Sequence, residues 1–234
     1  MIFICPIDGS KIDDNLICEK GHKFNLIDNG IYDFLPSNVK IKTDQMLERI
    51  IPIYENLWAP LGMFITGRTS YSNFLRNIAE FISGGVVVDV GTGTGKIFDL
   101  LKCDRCIGID ISLNFLKYMK KKRKDVIAVR GDASNLPIKS NIADGVSSTL
   151  VLHMLPNPHL AIKEISRILK PKGKCGIAVL ANVDSLMAKI LSKMWKVNLR
   201  HYDYYINLLL SNSLQVVQRK EFGPWVIIKC IKAS

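Results

Sequence analysis

No apolar run in this sequence approaches the ~18 residues that a membrane span needs, so a helical membrane anchor is not expected. The first residues, Met1-Ile2-Phe3-Ile4-Cys5-Pro6, lack the basic region and long apolar stretch of a secretory signal, and a cytoplasmic protein is the expectation. Acids are short relative to bases: 21 Asp and Glu against 32 Lys and Arg leave a formal charge of +11. That balance permits an anionic partner without demanding one. The densest basic run, residues 117–124, falls where a helix is expected to end, and cations there complement the helix dipole while staying solvated. Cys103-Asp104-Arg105-Cys106 has redox spacing, but it precedes a strand instead of opening a helix, so a structural role is expected. Cys175 and Cys230 fall in expected strands, as small buried hydrophobes.

The chain is long enough for one full α/β core and a small appendage. Its most informative stretch is Val86-Val87-Val88-Asp89-Val90-Gly91-Thr92-Gly93-Thr94-Gly95: an apolar strand, an acid, a glycine-rich turn, then a helix-like segment over residues 97–101. Glycines at alternate positions allow positive φ and close approach of backbone to a ligand. Two phosphate-binding readings fail on detail. A P-loop needs Gly-x-x-x-x-Gly-Lys-Ser/Thr, but Gly95-Lys96 is followed by Ile97. A dinucleotide fingerprint wants a small residue where Lys96 stands.

The spacing instead resembles motif I of class I S-adenosylmethionine (SAM)-dependent methyltransferases, and later segments follow that family in order over residues 85–181. Cys106-Ile107-Gly108-Ile109-Asp110 resembles the second strand, whose terminal acid receives ribose hydroxyls. Residues 126–130 and Gly131-Asp132-Ala133 resemble the third strand and the acid that meets the adenine amino group. Residues 144–153 resemble motif IV, and residues 157–174 the last core helix, turn and fifth strand. The resemblance implies a Rossmann-like α/β fold, with a seven-stranded, mostly parallel sheet and a reversed last strand. It also implies SAM as cofactor, held by Asp89, Gly91, Thr92, Gly93, Gly95, Asp110, Ile111, Asp132, Ala133 and Thr149. Helices are expected at residues 188–195 and 202–210. Residues 214–222 and 225–232, joined by the short turn Gly223-Pro224, are expected to close the sheet as an antiparallel pair.

A second constellation stands at the N-terminus. Cys5-Pro6-Ile7-Asp8-Gly9 and Cys18-Glu19-Lys20-Gly21-His22 pair potential ligands at zinc spacing, with a carboxylate where a cysteine is usual. Residues 18–36 resemble the zinc ribbon of some ribosomal-RNA guanine methyltransferases and of small methyltransferases. Cys5, Asp8, Cys18 and His22 are the candidate zinc ligands, the alternative being a metal-free ribbon with Cys5 and Cys18 bridged. The expected organisation is a ribbon-like module over residues 1–38 lying outside the nucleotide cleft, a helical lid or linker over 39–84, and the methyltransferase domain over 85–234.

The segment around Tyr54 resembles the lid of small-molecule methyltransferases, and the apolar residues 50–64 are expected to line an acceptor pocket or to pack on the core. His153, just after the fourth core strand, is the candidate general base, with Tyr54 and Tyr202 as further candidates. Asn/Asp-Pro-Pro-Tyr/Phe is missing where Thr149-Leu150-Val151-Leu152 stands, which disfavours methylation of an exocyclic amine; no Pro-Cys nucleophile stands there for pyrimidine C5 chemistry. Two enzyme readings remain. The core resembles the quinone and small-molecule methyltransferases, which implies a small, apolar acceptor, while the ribbon and the positive charge suggest an RNA base methyltransferase. The first is preferred because that resemblance covers more of the chain, and a non-catalytic SAM-binding subunit is a third possibility. No protein partner is indicated.

Overall fold

A computed structural model describes residues 2–27, 30–36, 48–195, 197 and 199–234. Residues 37–47, assigned from the sequence to the end of the ribbon and the start of the lid, lie outside that set. Short apolar runs bounded by glycine or acids give strands, the central ones buried on both faces and the edge strands partly exposed. They are β1 (Asn25–Ile27), β2 (Ile31–Asp33), β3 (Gly84–Val90), β4 (Cys103–Asp110), β5 (Ile127–Arg130), β6 (Ala143–Thr149), β7 (Leu169–Leu180), β8 (Leu214–Phe222) and β9 (Trp225–Lys232). They join in one sheet of order β1-β2-β5-β4-β3-β6-β7-β9-β8. The expected seven strands are β3 to β9, parallel except for β9, which runs antiparallel to both β7 and β8. The order reverses between β3 and β6, and a crevice opens beyond the carboxyl ends of strands at such a switch point.

Two further strands extend the sheet at its β5 edge. The hairpin β1–β2 sets Ile31, Tyr32 and Asp33 in parallel register against Ala128, Val129 and Arg130. Phe3, Phe24 and Phe34 of the N-terminal module are buried in one cluster with Val129, Leu136 and Ile138 of the main domain. The module is docked by both a backbone ladder and an aromatic core.

Helices cover both faces. Those of eight residues or more are α1 (Ala59–Gly67), α2 (Tyr71–Ile82), α3 (Leu113–Lys122), α4 (Pro158–Ile168), α5 (Leu186–Trp195) and α6 (Tyr202–Ser211). Ser70 caps α2 by accepting from the Asn73 amide at 3.1 Å, and the stripe Phe74, Leu75, Ile78, Ala79 and Ile82 is buried against the sheet. Truncating Phe74 there should cost about 3–5 kcal/mol. This helix belongs to the core layer; only the chain before it overhangs the crevice. The helix expected after the glycine turn is a single 3-10 turn, Lys96–Asp99, because Gly95 adopts a left-handed conformation and β4 begins at Cys103, too soon for an α-helix to propagate. Cys103 and Cys106 lie within β4 itself and are joined by a disulfide. The four other cysteines, Cys5 and Cys18 included, are free.

Candidate active site and N-terminal metal cluster

The glycine turn is fixed from below. The amides of Gly91 and Thr92 both donate to the Ile109 carbonyl, at 2.8 and 2.9 Å. Gly91 has φ +74° and a Cβ there would lie 2.3 Å from Val151 Cγ2, so no other residue fits. Gly93, at φ +53°, is different: nothing but the Phe115 ring, at 3.8 Å, would meet its Cβ, so space is kept beside it. The Gly93 amide donates to Asp110 Oδ2 at 2.7 Å and the Ser112 amide to Oδ1 at 2.9 Å. Each oxygen of that carboxylate keeps a lone pair for a further donor, which suits a vicinal diol. Burial raises the Asp110 pKa against these stabilising amides.

Asp89 sits under the turn instead of facing its mouth. It is 3% exposed, accepts from the Ser147 hydroxyl at 2.6 Å, and burial pushes its pKa up to about 6. Ser147 is a partner the sequence did not single out, since a serine within a strand carries no outward signal. Asp132 lies exposed just beyond β5 and accepts from the Ser134 amide at 2.8 Å; Gly131 before it donates to the Asp110 carbonyl, bringing both acids to one edge. Ile111 and Ala133 flank them in the chain. Thr149 ends β6, and its buried hydroxyl, like that of Ser148, has no hydrogen-bond partner among the described residues. The expected cofactor residues thus gather at the carboxyl ends of β3, β4, β5 and β6, with an orphan hydroxyl and an open glycine among them.

Next to this edge lies an apolar cleft lined by Tyr54, Trp58, Ala59, Gly62, Met63, Tyr71, Leu150, His153, Met154, Trp195 and Trp225. A wide π-helical turn, Tyr54–Trp58, places both its terminal aromatics on the cleft. Trp225 donates from Nε1 to Thr66 Oγ1 at 2.8 Å, tying α1 to β9. Leu150 has φ +64°, a conformation that costs a bulky residue about 1–2 kcal/mol, and its amide is pinned to the Ala178 carbonyl at 2.8 Å. Phe64, at 68% exposed, turns away from the cleft, as do Leu57 and Leu61; a helix offers only one face, and Trp58, Ala59, Gly62 and Met63 occupy it.

His153 is buried, and burial lowers its pKa to about 3. Its Nδ1 accepts from the Leu180 amide at 3.4 Å, which leaves the ring proton on Nε2. The imidazole is therefore a neutral hydrogen-bond donor, too weakly basic for the general base expected from the sequence. Burial, helped by the charge of Asp110, pushes Tyr54 up to about 12, so it too stays a protonated donor. Tyr202 packs in the cluster beneath α6 and does not line the apolar cleft. The basic run at the end of α3 is not wholly solvated: buried Glu55 pairs with Lys122 at 2.5 Å and Arg123 at 3.2 Å, which fastens the lid to α3.

At the opposite side of β5, two knuckles bring Cys5, Asp8, Cys18 and His22 together, with ligand atoms all within 4.8 Å. His22 Nδ1 lies 3.5 Å from Cys5 Sγ, 3.3 Å from Cys18 Sγ and 3.0 Å from Asp8 Oδ2, and Cys18 Sγ lies 3.8 Å from Asp8 Oδ2. A tetrahedron built with standard Zn–S and Zn–N/O lengths has edges of about 3.3–3.8 Å. The donor set fits a zinc ion. Hydrogen bonds from the Ser10 hydroxyl and amide hold Asp8 well below the usual carboxylate range.

Residues 88–177 match the family described as "Methyltransferase domain". That segment carries a methyltransferase domain, and the fold around it is the class I, Rossmann-like methyltransferase fold. Demethylmenaquinone methyltransferase of Renibacterium salmoninarum is 30% identical over 57% of this chain and 56% of its own length. The tRNA (carboxymethyluridine(34)-5-O)-methyltransferase of Arabidopsis thaliana is 37% identical over 42% of this chain and 25% of its own. The chain spans about half the length of the curated relatives it matches first. In fold, the methyltransferase domain resembles a SAM-dependent methyltransferase from Thermotoga maritima (TM-score 0.65, 23% identity, 80% of this chain, 98% of that one). It likewise resembles a chain of the complex of the Haloferax volcanii Trm112 methyltransferase activator (0.68, 16%, 82% and 100%).

Proposed function

We propose that this protein methylates a small, apolar acceptor held in the cleft between the lid and the carboxyl ends of β6 and β7. The observation that carries this is the lining: three tryptophans, Tyr71, Met63, Met154 and Leu150 around the neutral donors His153 and Tyr54, with no ionised side chain. SAM supplies an electrophilic methyl on a sulfonium, which the acceptor's nucleophile takes as the carbon–sulfur bond breaks and the sulfur leaves as a thioether. Asp110 holds two ribose hydroxyls on its remaining lone pairs, Asp132 receives the adenine amino group, and Ile111 and Ala133 flank the base. The backbone of Gly91, Thr92, Gly93 and Gly95 allows close approach, while Asp89 braces that turn through Ser147. Thr149 offers its unpartnered hydroxyl. The acceptor side needs alignment and dryness more than proton transfer, and His153 Nε2 and the Tyr54 hydroxyl orient the acceptor.

Cys5, Asp8, Cys18 and His22 hold one structural zinc, with Asp8 and the two cysteines as its anionic ligands. Metal analysis of chelator-free protein should find about one zinc per chain, and none would remove this part of the proposal.

Replacing Trp58 with alanine should lower methyl transfer at least tenfold while leaving the SAM dissociation constant within about twofold, since a cleft wall is lost and no nucleotide contact is. Unchanged turnover would count against the pocket. The similarity to a tRNA methyltransferase and the charge of +11 favour RNA as the second reading.

A further inference from the structure

Helix α1 is apolar all round, a pattern found where a helix is surrounded by apolar material. Yet only Met63 and Gly67 of it are buried, while Leu61, Phe64 and Ile65 are 51%, 68% and 59% exposed, and Ile53 and Leu57 before it are also exposed. Helix α5 carries two apolar stripes. Leu191 is buried, with Met187 and Trp195 packed beside it, whereas Leu186, Ile190 and Met194, at the same four-residue spacing, are half to three-quarters exposed. Met63 of α1 and Trp195 of α5 line the same cleft, and Trp58 and Met154 at that cleft are also exposed. Both helices that wall the acceptor cleft thus carry several large apolar side chains exposed to solvent, the kind of feature that marks an interaction surface.

The charge around them is mainly basic, with exposed Asp184 and Asp203 at the margin. Residues 56–70 and 185–202 contain no Asp or Glu, but carry Arg68, Lys189, Lys193, Lys196 and Arg200. Arg68, Lys189 and Lys193 are exposed. A second copy docked by a two-fold axis would set this basic fringe against itself. A surface of negative headgroups over hydrocarbon complements both features.

We propose that the face formed by α1 and α5 docks on an anionic lipid bilayer, with Leu57, Leu61, Phe64, Ile65, Ile190 and Met194 entering its outer layer. No described helix is long and apolar enough to cross a membrane, so the contact is peripheral. Docking puts the mouth of the cleft at the hydrocarbon boundary, where an apolar acceptor concentrates; only this delivery role rests on the acceptor proposed above.

Flotation of the full chain with phosphatidylcholine vesicles, with and without phosphatidylglycerol, reads the contact without any methyl transfer. The protein should float with the anionic vesicles at low salt. Lys189→Glu with Lys193→Glu should weaken this roughly tenfold or more, and Phe64→Ser with Ile190→Ser should weaken it comparably. Calorimetric SAM binding equal to that of the parent protein would show that the variants fold. Absence of the parent protein from floated anionic vesicles, or variants that float as it does, would overturn the proposal. So would a dimer in sedimentation equilibrium that the same substitutions dissociate, with no vesicle binding. Vesicle binding by a protein that methylates only RNA would keep the docking surface and refute the apolar acceptor.

Discussion

At the scale of single residues, two buried groups make the site's chemistry testable. His153 titrates near 3 in the fold and near ~6.5 in the unfolded chain. The unfolded chain takes the proton first as pH falls, so the stability tied to neutral His153 is complete above ~6.5 and is lost progressively towards 3. At about pH 5 the loss is roughly 2 kcal/mol. Asp89 acts in the opposite sense, because its folded pKa of about 6 lies above the unfolded value and the native state holds that proton more firmly as pH falls. Comparing His153→Gln with the parent protein cancels the Asp89 contribution. Thermal unfolding should show the variant losing less stability than the parent between about pH 7 and about pH 5; parallel losses would mean that His153 is not buried neutral. Asp110 supplies the second test. Removing a charged hydrogen-bonding partner as Asp110→Ala should weaken SAM binding by about 1.5–3 kcal/mol in calorimetry, and an unchanged affinity would take the ribose role away from it. Both positions were legible in the sequence as chemistry-bearing residues. The direction of His153 was not, because only the Leu180 amide on its Nδ1 and the apolar surroundings decide that it donates.

At the scale of elements, the N-terminal module matters more than its place in the sequence suggests. From spacing alone it was expected outside the nucleotide cleft. Its strands extend the sheet at the β5 edge, and its backbone, together with the Asp33 side chain, holds the segment that carries Asp132. Asp33 pairs with Arg130 at 3.0 Å, whose Nε donates to the Ile111 carbonyl at 3.3 Å. The Ile4 amide donates to Pro137 at 3.2 Å, the Lys139 amide to Ile2 at 3.0 Å, and Asn135 to the Pro6 carbonyl. Ligand spacing shows which residues meet a metal but not which edge the folded module covers, so this coupling was beyond reach of the sequence. Chelation, or Cys18→Ser, should therefore release zinc and also weaken SAM binding several-fold. Arg130→Met should weaken SAM binding comparably with zinc retained, as metal analysis beside calorimetry would read. Full SAM affinity in the zinc-free protein would show that the module is only appended. The residues of the glycine turn are likewise readable in the sequence, but the short 3-10 turn after it depends on how soon β4 must begin.

For the whole molecule, the order of motifs along the chain foretold the sheet, since each acid-tipped strand of residues 85–181 has one place in a doubly wound topology and the short Gly223-Pro224 turn forces an antiparallel closing pair. The outward apolar faces of α1 and α5 escaped that reading, because a sequence of mixed apolar and basic residues does not say which apolar stripe the core consumes. The activity proposed for the molecule is methyl transfer to a small apolar acceptor. Its most direct measurement is incubation of the protein with methyl-labelled SAM and a cell extract, followed by separate recovery of the organic-soluble and RNA fractions at several salt concentrations. The label should enter the organic-soluble fraction, with a yield that changes little with salt. Label in RNA, falling steeply with salt at a log–log slope of about −0.7 per phosphate contacted on a single strand, would contradict the account.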